Sequence, residues 1–94
     1  MSIDRLMIPG PALDRLVAEK VLDGEIKPYS TDPDYAREVL DAITDHGYEA
    51  DFIETAVVTC ELWKDAKIWY TAWGRTQEEA IARAALKIYG SNPA

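Results

Sequence analysis

The sequence predicts an α+β domain in which a small antiparallel β-sheet carries packed helices. Three observations lead there. Apolar residues recur at helical spacing in three segments with start and stop signals. Between the second and third of these lies a run of β-branched and aromatic residues, broken by a turn signal. The resulting order of helix, connection, helix, strands, helix makes an antiparallel sheet with helices on it the economical arrangement.

Each element has a reason. After a lead over residues 1–10, Gly10-Pro11 opens the first helix, with proline where a missing N–H costs little. Leu13, Leu16, Val17 and Val21 form its apolar stripe, Asp14, Arg15, Glu19 and Lys20 lie away from it, and Asp23-Gly24 ends it. Glu25 to Thr31 is a connection in which Pro28 limits strand formation and Tyr29 is partly buried beneath the next helix. Asp32-Pro33-Asp34 starts that second helix with an N-cap carboxylate, a first-turn proline and an acid at the positive pole. Ala36, Val39, Leu40 and Ile43 form its buried face, and His46-Gly47 closes it. Tyr48 to Leu62 is strand-like, either as one long strand or as two with a break near Glu54-Thr55. Lys64-Asp65-Ala66 is a hairpin turn, and Lys67 to Trp73 the following strand. Thr76-Gln77-Glu78-Glu79 is a capping box. It opens a helix whose small inward residues (Ala80, Ile81, Ala84, Ala85, Ile88) let it approach the sheet closely. Gly90 stops it before a loose tail, residues 91–94.

At 94 residues the chain is read as a single domain with a modest core. Seventeen acids against ten Lys and Arg give a net charge of -7, which argues against affinity for nucleic acid or anionic lipid. No segment approaches the ~20 apolar residues that span a bilayer. The first residues lack the order of a signal peptide, so the expected location is the cytoplasm. The lone Cys60 excludes a disulfide framework and a cysteine-based zinc site, and its apolar neighbours mark an inert strand thiol.

Three stretches carry a family resemblance: Leu13 to Leu22, Tyr29-Ser30-Thr31-Asp32 with the helix end at His46-Gly47-Tyr48, and Thr76 to Leu86. In order and spacing they resemble the phage ABA sandwich domain of small bacteriophage and prophage proteins. The resemblance covers residues 13–88 and implies an α-β-α sandwich, with helices on both faces of the sheet, and a phage origin in an infected bacterial cell. It brings no catalytic motif. The chain departs from the family pattern after the first helix, where only Glu25-Ile26-Lys27-Pro28 stands in place of a longer strand-like insert.

The candidate binding residues cluster around the last strand. Trp69, Thr71 and Trp73 share one face by alternation, with Ile68, Tyr70 and Ala72 on the other, and Trp63 extends the aromatic surface. Such rings stack on nucleobases, pack under a helix, or meet a second subunit. Arg75 and Thr76 sit at the start of a helix, where free N–H groups and the dipole attract anions, although Thr76, Glu78 and Glu79 can satisfy those groups internally. No glycine-rich P-loop is present. His46, without a partner nucleophile or metal cluster, stabilises a helix end, and Asp32, Asp34, Glu78 and Glu79 are capping acids. The other acids, including Asp14, Asp51, Glu54 and Asp65, read as a solvated coat.

No nucleophile–base pair, metal set or cofactor motif appears, so the chain reads as a non-enzymatic binding protein. The first expectation is a sponge for a nucleotide-derived host immune signal, held by Trp63, Trp69, Trp73, Arg75 and Thr76, with the pocket between subunits of a homo-oligomer. The alternative is an acidic protein–protein interaction module that inhibits a host factor.

Overall fold

The computed structural model describes residues 10–22 and 24–89. The lead up to residue 9, Asp23 at the first helix end, the Gly90 stop and the 91–94 tail lie outside the described residues. Helix α1 is Pro11–Val17 and widens into a π-helical segment, Ala18–Leu22. Helix α2 is Pro33–Asp45. Three strands follow, β1 Glu49–Glu54, β2 Val58–Lys64 and β3 Lys67–Gly74, and then helix α3, Gln77–Tyr89. The strands form one antiparallel sheet in the order β1-β2-β3. The α+β class is therefore the observed one.

The strand-like run resolves into two strands. Thr55 donates its N–H to the Val57 carbonyl at 2.9 Å, which turns the chain within residues 55–57. The second turn is tighter still. Asp65 and Ala66 both adopt positive φ, 56° and 64°, as a two-residue hairpin matched to strand twist requires.

Helix α3 lies against β2 and β3; α1 and α2 lie against α3, and α2 also reaches β1. Ala80, Ala82, Ala84 and Ala85 are fully buried, so α3 is sandwiched closely between the sheet and the other two helices. The core adds Leu13, Val17, Val39, Ile43, Cys60 and Leu62, all without exposure. Every helix among the described residues is on one side. Along β3, Ala72 and Gly74 are buried while Thr71 and Trp73 are exposed. The second helical layer implied by the family resemblance has no counterpart among the described residues.

The helix ends follow their caps. Asp32 accepts from the Asp34 N–H at 2.9 Å with Pro33 next to it, and Gly47 has φ 90° after the His46 cap. Tyr29 is buried, with its ring edge-to-face on Tyr35 at 6.2 Å. Asp14 departs from the solvated role read from its position. It is 6% exposed and accepts both the Ser30 N–H, at 2.8 Å, and the Ser30 hydroxyl, at 2.7 Å. The same hydroxyl accepts the Gly10 N–H at 3.0 Å. This buried acid fastens α1 to the connection because it sits beside Leu13, at the border of the apolar stripe.

Candidate functional site: the open face of the sheet

The face opposite the helices is built by alternation. From β1 it takes Glu49, Asp51 and Ile53, from β2 Thr59, Glu61 and Trp63, and from β3 Trp69, Thr71 and Trp73. Cross-strand pairing sets Trp63 against Glu49, Glu61 between Asp51 and Thr71, and Thr59 between Ile53 and Trp73. The face thus has an acidic middle with indoles at both ends. Trp69 is 48% and Trp73 55% exposed, and Ile53 and Ile68 are also open.

Ile68 belongs to this face because the register shifts. Leu62 pairs with Tyr70 and Trp63 with Ile68, so Trp69 is the extra residue of a β-bulge. Residues directly opposite share a face, which brings Ile68 beside Trp63 rather than toward the core. Strict alternation puts Ile68 with Tyr70 and Ala72; the bulge reverses that placement. The Trp69 indole N–H is anchored on the Lys64 carbonyl at 2.9 Å, and Lys67 Nζ stands 5.7 Å from its ring. Trp63 is half-buried and its indole N–H reaches Glu61 Oε1 at 3.3 Å.

Trp73, Arg75 and Thr76 gather at the other end. Here the start of α3 is closed by its own side chains. Thr76 Oγ1 accepts the Glu79 N–H at 3.2 Å. Glu79, only 3% exposed, accepts the Arg75 N–H at 2.8 Å and pairs with Arg83 at 2.8 Å. Half of the capping box therefore forms: Thr76 takes the Glu79 N–H, but the Glu79 carboxylate takes the N–H of Arg75 rather than that of Thr76. Arg83 also donates to the Trp73 carbonyl at 2.9 Å and stacks its guanidinium 5.2 Å from the Trp73 ring. Gly74 makes this closure feasible, since a Cβ there would meet Glu79 Cβ and Cγ at 2.8 Å and the Ala80 nitrogen at 2.9 Å.

The five residues singled out from sequence share one face and its rim, but they do not converge. Trp69 and Trp73 stand four strand residues apart, ~13 Å, with Thr71 between them. Arg75 and Thr76 are exposed beyond the Trp73 end. Trp63 lines something the sequence reading missed: a groove of about 350 Å³ bounded by Gly47, Glu49, Asp51, Trp63, Lys64, Asp65 and Ala66. The available signal was acids at period two, Glu49 and Asp51, in register with an aromatic. Three carboxylates against one ammonium give the groove a negative field. Among the described residues no three His, Cys, Asp or Glu side chains converge on a possible metal position. No helix there is long and apolar enough to cross a membrane.

Burial pushes the Cys60 thiol up to about 12, with Asp51 and Glu61 adding to the effect. A thiol so protonated is no nucleophile. Comparisons with protein-family models, curated proteins and solved structures give no match to this chain. The phage-domain resemblance therefore stands on its sequence motifs alone.

Proposed function

We propose that this chain is a non-enzymatic interaction module that docks a cationic protein surface on the open face of its sheet. The observation that carries the reading is the exposure of Trp69 and Trp73 at the two ends of a face whose middle is Asp51 and Glu61. Exposed tryptophan is the side chain that most often anchors an interface. About half of each indole, ~100 Å² apiece, remains to be covered, worth ~2.5 kcal/mol per ring. The carboxylates between them favour lysine and arginine in the partner, and the same cations stack on indole. A second copy of this chain would set acid against acid. In keeping with the phage resemblance, the partner would be a basic host protein that the module blocks.

The sponge for a nucleotide-derived signal competes for the same tryptophans. A phosphate would need donors, yet the Arg75 N–H is held by Glu79 and the groove beside Trp63 is lined by carboxylates. One experiment separates the two readings. The wild type and a Trp69→Ser/Trp73→Ser variant are titrated with a lysine-rich peptide and with cyclic and linear adenine nucleotides at low and high salt. The expected result is salt-sensitive peptide binding, weakened at least ~30-fold in the variant, and no nucleotide binding. Nucleotide binding with indifference to the peptide would overturn the proposal in favour of the sponge.

A further inference from the structure

The two edges of the sheet differ. At the β3 edge, side chains of α3 occupy the outward carbonyls: Arg83 donates to Trp73 O at 2.9 Å and Lys87 to Thr71 O at 2.6 Å. That edge is blunted as natural sheets blunt edges, by covering them with a helix and its long cations. At the β1 edge, the backbone of Glu49–Glu54 bonds only to β2 among the described residues. Alternate residues there present free N–H and C=O groups along an extended strand. The strand is marked chemically as well, because Glu49, Asp51 and Glu54 put carboxylates along an edge with Ala50, Phe52 and Ile53 between them. Two copies of β1 paired antiparallel about Asp51 would set that carboxylate against its own copy, a like-charge pairing that disfavours self-association.

We infer that β1 accepts an extended basic segment of a partner protein as a fourth strand. Backbone hydrogen bonds of this kind supply affinity, and alternate side chains supply specificity. On the open face, the side chains of the added strand fall beside Glu49 and Asp51. That is the rim of the groove whose far wall is Trp63, so a lysine or arginine there meets two carboxylates and an indole face. On the opposite face, smaller apolar side chains continue the row of Ala50 and Phe52, which are only half-buried. The partner segment thus alternates cationic and apolar residues and contains no proline at its pairing positions. This inference rests on the open-face reading and adds the mode of docking to it.

The test uses the full chain and short peptides of alternating lysine and valine. One is unmodified, and two carry N-methyl groups on alternate backbone nitrogens, one set on each side of the strand. All three keep the same charge and side chains. The expected result is that methylation on one side leaves binding intact and methylation on the other weakens it about tenfold or more. Alternate amides of β1 should gain protection from hydrogen exchange in the complex. Equal binding of all three peptides, or protection confined to β2 and β3, would overturn strand addition while leaving open-face docking standing. Failure of the unmodified peptide to bind would also overturn strand addition. A loss of binding in the Trp69→Ser/Trp73→Ser variant tests the open-face reading separately.

Discussion

Replacing Gly74 with alanine probes the joint between β3 and α3. Gly74 does not occupy the left-handed region, so its lack of a side chain is needed for space and not for conformation. A Cβ would lie 2.8 Å from Glu79 Cβ and Cγ and 2.9 Å from the Ala80 nitrogen. Backbone on both sides has to yield, and overpacking of that kind costs ~1–3 kcal/mol. The displacement also draws the buried Glu79 carboxylate away from the Arg75 N–H, a bond whose loss costs a further ~1–3 kcal/mol. One movement serves both, so we expect about 2–4 kcal/mol in total, read as a fall in urea midpoint at unchanged slope. The thermal midpoint should fall by roughly 10–25 °C. Adding Glu79→Ala relieves the Cγ contact but not the Cβ and Ala80 contacts, so the double variant should stay at least ~1 kcal/mol below Glu79→Ala alone. A Gly74→Ala protein within ~0.5 kcal/mol of wild type would refute the close approach and the sealed helix start built on it.

Other consequences follow from the same geometry. Asp14→Ala strips the buried Ser30 N–H and hydroxyl of their acceptor and should cost ~2–4 kcal/mol in denaturant unfolding, with Asp14→Asn costing less. Ala66→Gly relieves a non-glycine residue at φ 64° and should stabilise the fold by ~0.5–1 kcal/mol. Cys60 ionises near 9.0 when unfolded but only near about 12 when folded. Between those values the unfolded state holds fewer protons, so stability falls as pH rises, by at most ~1.4 kcal/mol per unit. Cys60→Ala should flatten that slope in alkaline unfolding. A slope of the same sign should remain above pH 10 from Tyr29, Tyr48 and Tyr89, whose hydroxyls are all raised by burial.

What was legible in the sequence was local. Asp32-Pro33, His46-Gly47 and Thr76 to Glu79 act through bonds within one turn, and the caps form at the expected places, except that the Glu79 carboxylate reaches Arg75 instead of Thr76. The Asp65-Ala66 turn likewise needs only its neighbours. The features that escaped depend on partners distant in sequence. Asp14 is buried because Ser30, sixteen residues on, turns its N–H toward it. Ile68 is re-aimed by a bulge at Trp69 that exists only in pairing with Trp63. The tryptophans admitted stacking, core and interface readings until every helix among the described residues was found on one side. The groove at Trp63 required the hairpin to bring Asp65 near Glu49 and Asp51.

The central claim is that the tryptophan-bearing face is open in the isolated chain and is where a partner docks. Tryptophan emission with acrylamide quenching, followed over a range of protein concentration, tests it most directly. The account predicts red-shifted, readily quenched emission from Trp69 and Trp73 that does not change with concentration and turns blue and shielded when a lysine-rich peptide is added. Blue, shielded emission from the protein alone that opens on dilution would contradict it, and would mean that copies of the chain cover this face for one another.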